Sequence, residues 1–228
     1  MDEFEKQGLA LVANGAFNPA IFHPSWLRLH EIINDEELAE ARTEVTHREI
    51  AQFSIPGLSF DVQSERLALV ASQEPFVRIL DIALHLFTEL LPQTPLTSIG
   101  INYFVHANLQ SWTRRHRLGR MLAPIDPWGE FGRSMEGSDP ESVGGMTSLT
   151  MRAPLGHIGP ESQLGVTVQP SADVDDSKGI YINVNHHLKP LRIERAGDWG
   201  ELLNSEFDEA VQKSRKLVNH LIDLGMSL

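Results

Sequence analysis

The steadiest hydrophobic rhythm in the chain runs from Val77 to Leu91. There Val77, Leu80, Leu84, Phe87 and Leu91 step by three or four residues. Ile79, Ile82, Leu86 and Leu90 fill other sides, so the pattern predicts a buried helix over 75–91. Pro75 suits its first turn, and Pro92 and Pro95 end it. The period then changes to two. From Thr97 to Leu109, Ile99, Ile101, Tyr103, Val105, Ala107 and Leu109 share one face, and Gly100, Asn102, Phe104, His106 and Asn108 the other, as in a long strand.

Shorter alternations flank these two elements. Residues 44–72 read as sheet, with a turn at Pro56-Gly57 and a hairpin joining Ser59–Val62 to Leu67–Val70. Met146–Ala153, Gln163–Val168 and Gly179–Leu188 are further strands, the last preceded by a turn over Asp173, Asp175 and Asp176. Residues 1–16 carry no clear period and read as a short helix or frayed end. Pro19 and Pro24 bracket a short apolar run that reads as an edge strand or extended segment, and Ser25 is placed to cap a helix from Trp26 to about Ile33. Trp112–Leu122 reads as a short basic helix. At the C-terminus Asp198, with Glu201, is placed to cap a long helix whose Leu203, Phe207, Ala210, Ser214, Leu217, Leu221 and Leu224 make a heptad-like stripe.

Strands outnumber helices and often follow one another directly. The order predicts an α+β fold: a mixed or mainly antiparallel sheet, with the buried helix and the long C-terminal helix packed on one face. No domain boundary stands out over 1–228. The segment 123–146, rich in Pro, Gly, Asp, Glu and Ser, reads as a flexible loop within a single domain.

Composition narrows the function classes. The chain has 228 residues, 41% hydrophobic and 22% charged, which is ordinary for a globular protein. Its net charge of −12 opposes phosphate backbones, so direct nucleic-acid binding is not expected. The same charge suits solubility or a basic partner protein. The absence of cysteine removes disulfides, thiolate metal sites and cysteine nucleophiles, and fits a cytoplasmic location. No stretch has the length and apolarity of a membrane span, and the start Met1-Asp2-Glu3 is unlike a signal peptide.

Catalytic signatures are missing: there is no P-loop, dinucleotide fingerprint, zincin motif or serine elbow, and no cofactor or metal is expected. Two patches carry candidate chemistry. Ile101-Asn102-Tyr103-Phe104-Val105-His106 and Ile182-Asn183-Val184-Asn185-His186-His187 both read Ile-Asn-x-x-x-His on strands. Within one strand the Asn and His lie on one side about 13 Å apart, too far to share a metal. Were the two strands antiparallel neighbours, Asn102 would lie near His187 and Asn183 near His106. The resulting polar patch of Asn102, His106, Asn108, Asn183, Asn185 and His187 would suit a small ligand or, through the histidines, a metal, although no acid among them completes a ligand set. The second patch is Arg114, Arg115, Arg117 and Arg120 beside Trp112, guanidiniums that suit phosphate or carboxylate. Arg114, Arg117 and Arg120 would share a helical face.

Asn18-Pro19-Ala20-Ile21-Phe22-His23-Pro24-Ser25-Trp26-Leu27, taken with Leu96-Thr97-Ser98-Ile99-Gly100-Ile101-Asn102-Tyr103 and the strand ending in His186-His187, resembles a family of uncharacterised bacterial proteins of sporadic distribution. The resemblance implies a bacterial or phage setting, such as an accessory gene beside a defence or toxin operon. It transfers no catalytic residue. The leading expectation is a non-catalytic accessory subunit that binds a partner protein, as an antitoxin or immunity protein masks a basic partner. One alternative is a ligand-binding or hydrolytic domain built on the Asn/His face. The other is a self-assembling protein, a homo-oligomer joined through Leu203, Phe207, Leu217 and Leu221 of the terminal helix.

Overall fold

Nine strands form one sheet in the order β2-β3-β4-β5-β1-β6-β9-β8-β7, every neighbouring pair antiparallel. The computed structural model describes residues 4–137, 143–174 and 176–228. The strands are β1 (Phe4–Gly15), β2 (Arg42–His47), β3 (Ile50–Ile55), β4 (Leu58–Gln63), β5 (Arg66–Ala71), β6 (Leu96–Asn108), β7 (Leu149–Pro154), β8 (Gln163–Pro170) and β9 (Gly179–Leu188). The helices are α1 (Pro24–Leu29), α2 (Asp35–Glu40), α3 (Val77–Leu84, continued by a π turn to Leu90), α4 (Trp112–Leu122), α5 (Gly129–Arg133) and α6 (Gly200–Met226). The α+β class and the C-terminal helix on the sheet match the expectation; the sheet is antiparallel throughout.

The chain makes one excursion twice. From the central strand β1 it leaves through α1 and α2 to one edge, returns through β2–β5 and ends on α3. From the central strand β6 it leaves through α4 and α5 to the other edge, returns through β7–β9 and ends on α6. The paired Ile-Asn-x-x-x-His segments do not mark this repetition. They lie on β6 and β9, the first and last strands of the second half.

One face of the sheet holds the core. Leu9 and Leu11 of β1, Leu67 and Leu69 of β5, Ile99 and Ile101 of β6 and Ile182 of β9 are fully buried beneath the helices. Ile79, Ala83 and Leu86 of the α3 segment and Leu203, Phe207 and Val218 of α6 pack onto them. No helix among the described residues is long and apolar enough to cross a membrane.

Several local expectations are corrected. Residues 4–15 are a central strand, not a helix or frayed end: Leu9, Leu11 and Ala13 alternate inward, while Ala10 and Val12 blur the pattern from the other side. The segment after Phe17 is not an edge strand. Asn18 Oδ1 accepts the Ala20 N–H at 3.2 Å and starts a 3-10 turn over Pro19–Ile21. Ser25 does not cap α1; His23 Nδ1 accepts the Ser25 N–H at 3.2 Å, and the helix stops at Leu29. Asp198 does not cap α6. It lies in a 3-10 turn, Ala196–Trp199, that runs into the helix, with the buried Trp199 at the cap position and no side-chain cap bond. The 123–146 segment holds a 3-10 turn, Asp126–Trp128, and α5; its residues 138–142 lie outside the described residues, as do Asp175 and Met1–Glu3. The stripe on α6 also shifts. It is buried at Leu203, Phe207, Ala210 and Ser214, then moves by one residue to Val218, Ile222 and Gly225, leaving Leu217, Leu221 and Leu224 half-buried on the flank.

Candidate functional site

Among the described residues, the side of the sheet away from the core carries no helix over β6 and β9, and its period-two residues there stay partly exposed. Asn102, Phe104, His106 and Asn108 rise from β6; Tyr181, Asn183, Asn185 and His187 rise from β9. The register sets Asn102 opposite Asn185, Phe104 opposite Asn183, His106 opposite Tyr181 and Gly100 opposite His187. The six expected residues therefore share one face. The expected pairs, Asn102 with His187 and Asn183 with His106, are diagonal rather than directly opposed, a wider separation.

Missing side chains shape this face. A Cβ on Gly100 would stand 3.1 Å from Asn185 Oδ1 and 3.2 Å from Asn102 Nδ2, so the bare backbone lets both amides lean over it. Phe104 lies across Gly8 in the same way, where a Cβ would come within 2.4 Å of its ring. Tyr181 sits beside both aromatic neighbours, 6.4 Å from Phe104 and 4.8 Å from the His106 ring. The side-chain oxygens of Asn183 and Asn185 are shut off from solvent and have no hydrogen-bond partner among the described residues. Such acceptors keep an unmet demand for donors.

His106 ends the row in a cluster for which the sequence carries no signal. Its Nδ1 is 2.8 Å from Ser171 Oγ, and its Nε2 is 3.5 Å from Asp173 Oδ2, which Lys6 Nζ also holds at 3.0 Å. Burial pulls the His106 pKa down; Asp173 opposes that shift and Lys6 adds to it. The residue types are those of a hydrolytic triad, but the local bonding is that of a turn. Ser171 Oγ accepts the Asp173 N–H at 3.0 Å, and Asp173 is spent on Lys6. The cluster fastens the turn before β9 to β6 and β1.

The arginine segment divides. Ser111 Oγ caps α4 by accepting the Arg114 N–H at 3.2 Å. Arg114 donates to Gln110 Oε1 at 2.8 Å, and Arg117 to the Leu228 carbonyl oxygen at 2.6 Å. Arg120 does not join them. With Arg115 and His116 it turns toward residues 143–147 and lines a cavity of about 200 Å³. Trp112 stacks on the His116 ring at 4.9 Å.

A larger notch of about 960 Å³ opens where β5 stops at Ala71 while β1 continues back to Phe4. Gln7, Glu74, Tyr103 and Arg215 line it. Tyr103 donates its hydroxyl to Gln7 Oε1 at 3.0 Å, and burial pushes its pKa up. Arg215 donates to Glu74 at 2.7 Å and lies over the Phe76 ring at 5.7 Å. Only the register of β1 against β5 reveals this notch. Of the expected interface residues, Leu203 and Phe207 are buried within the chain, and Leu217 and Leu221 are half-buried. Among the described residues no group of three or more His, Asp or Glu stands close enough to hold a metal ion. No protein-family model matches the chain and no curated protein matches it, which agrees with the uncharacterised family that the resemblance implies and says nothing of its distribution.

Proposed function

We propose that this chain is a non-catalytic accessory subunit that binds a partner protein on the open face of β6 and β9. The observation that carries the reading is the one-sided sheet, whose uncovered centre joins Phe104 and Tyr181 to the unpartnered oxygens of Asn183 and Asn185. Aromatic residues among uncharged amides, with few lysines and acids, are the composition of an interface core. A partner would cover the rings, and a turn of the two amides, whose oxygens are shut off from solvent, would bring them to its N–H donors. The bacterial multi-protein setting, such as a defence or toxin operon, belongs to this proposal through the sequence resemblance.

Native mass spectrometry of the chain purified from its host tests it. The expected result is a second polypeptide at fixed ratio, lost in Asn185→Arg and Tyr181→Ala and kept in Glu209→Arg on the helical side. Loss in Glu209→Arg with retention in the sheet-face variants would overturn it.

A further inference from the structure

We propose that the cavity between α4 and residues 143–147 is a binding site for a phosphate-class oxyanion, held by Arg115 and Arg120. The first ground is charge. Arg115, His116 and Arg120 line the cavity with Gly119, Val143–Thr147 and Pro170, and none of these is acidic. Neither arginine has a salt-bridge partner among the described residues, although the chain as a whole carries −12. Arginines on an acidic protein ordinarily find one of its own carboxylates. These two face a cavity instead.

The second ground is orientation. Arg120 Nε donates to His116 Nε2 at 3.2 Å, and its Nη2 donates to the Met135 carbonyl at 2.7 Å. Those bonds fix the plane of the guanidinium. Its Nη1 is shut off from solvent and has no partner among the described residues, a donor whose desolvation they leave uncompensated. Because His116 Nε2 accepts from Arg120, the imidazole is neutral and carries its proton on Nδ1. The Arg120 cation is therefore held in place before any ligand arrives.

The third ground is field and size. Burial pulls the Arg115 pKa below its ordinary value. The His116 pKa is lowered first by burial and then by the positive charges of Arg120 and Arg115. A buried site whose positive charges further disfavour the imidazolium gains from an anion that neutralises it. The N–H groups of Gly144, Gly145, Met146 and Thr147 make no backbone hydrogen bond among the described residues, and these residues line one wall. The cavity has room for a tetrahedral oxyanion with several waters. Forked guanidiniums bind such an anion through paired hydrogen bonds.

The test uses the whole chain and inorganic phosphate, with chloride at matched ionic strength as control. Roughly 10 mM phosphate should raise the melting temperature where chloride does not, because a ligand bound only by the folded state stabilises it. By NMR, phosphate should raise the His116 pKa and shift the Gly144 and Gly145 amide signals. Arg115→Gln should weaken phosphate binding about tenfold or more, and Arg115→Lys, which keeps the charge but loses the fork, by less. Phenyl phosphate separates the two sources of the group. Binding as tight as phosphate assigns the site to phosphomonoesters, and binding of phosphate alone assigns it to the free ion. Equal effects of chloride and phosphate on the wild-type chain, or an unmoved His116 pKa at saturating phosphate, would overturn the proposal without relying on any variant's ability to fold.

Discussion

His186 is the only histidine in the core among the described residues, and its neighbours fix its state. Its Nε2 lies 3.2 Å from Ser214 Oγ, whose own proton goes to the Ala210 carbonyl at 2.7 Å. Ser214 must therefore accept, so the imidazole carries hydrogen on Nε2 and presents a bare Nδ1. A second proton there would place a charge between β9 and α6. Burial, with a smaller push from Lys213 and against a pull from Glu209, lowers the pKa from 6.5 to about 4. The folded pKa is below the unfolded one, so the unfolded chain takes the proton first on acidification. The stability linked to this group is complete above pH 6.5, declines as pH falls and is spent near pH 4. The span corresponds to about 3 kcal/mol. His186→Leu should remove this part of the pH dependence, measured as the wild-type minus variant difference in urea-unfolding free energy across that range. A difference that does not change with pH would mean that the ring is charged in the fold.

Period two alone places His186 among the Ile and Val side chains of β9, and the neighbouring His187 on the other face. It likewise sets Asn102, His106, Asn183 and Asn185 on one side of their strands. What period two does not supply is register. Asn102 meets Asn185 rather than His187 because pairing between strands so far apart in sequence is decided by the whole sheet. The arginine segment departs from its pattern for a similar reason. Helical spacing groups Arg114, Arg117 and Arg120, but the wall at residues 143–147 selects Arg115 and Arg120.

At the scale of elements, α6 shows how a single helix on a sheet differs from a coiled coil. A strict heptad repeat stays on one line only if the helix supercoils. Here a single helix crosses a twisted sheet, and after Ser214 the buried line advances to Val218 and Ile222. The prediction is a reversal of the stripe that the sequence spacing suggests. Ile222→Ala, which empties a site 5% exposed, should cost about 2–4 kcal/mol. Leu221→Ala, on the half-buried flank, should cost about 1 kcal/mol. Chemical denaturation of the two variants checks the order; equal losses would return the stripe to the heptad line. The strand with no legible signal is β1, the centre of the sheet. Apolar and small residues on both its sides, Leu9 and Leu11 beneath with Ala10 and Val12 above, erase the polar half of the alternation. Buried central strands lose this signal, while β4 and β6, with one polar side, keep it.

At the scale of the whole molecule the charges are unevenly spread. Asp35, Glu36 and Glu40 are exposed on α2, and Glu201, Asp208, Glu209 and Asp223 on α6, all on the helical side. On the sheet face Asp61 pairs with Arg66 at 3.7 Å and Asp173 with Lys6 at 3.0 Å, while the rows of β6 and β9 between them are uncharged apart from the imidazoles of His106 and His187. The two ways of holding a partner therefore differ in physics. A basic partner masked by the acidic helices would be held by exposed charges, which salt screens over about 8–10 Å. A partner seated on Phe104, Tyr181 and the asparagines would be held by desolvation and hydrogen bonds, which salt weakens little. The proposed sheet-face complex should keep its stoichiometry from ~50 to ~500 mM salt in sedimentation velocity, with its dissociation constant changing less than about threefold. A complex that comes apart over that range would move the contact to the helical side. The sheet face would then be left with its two asparagine oxygens still unanswered.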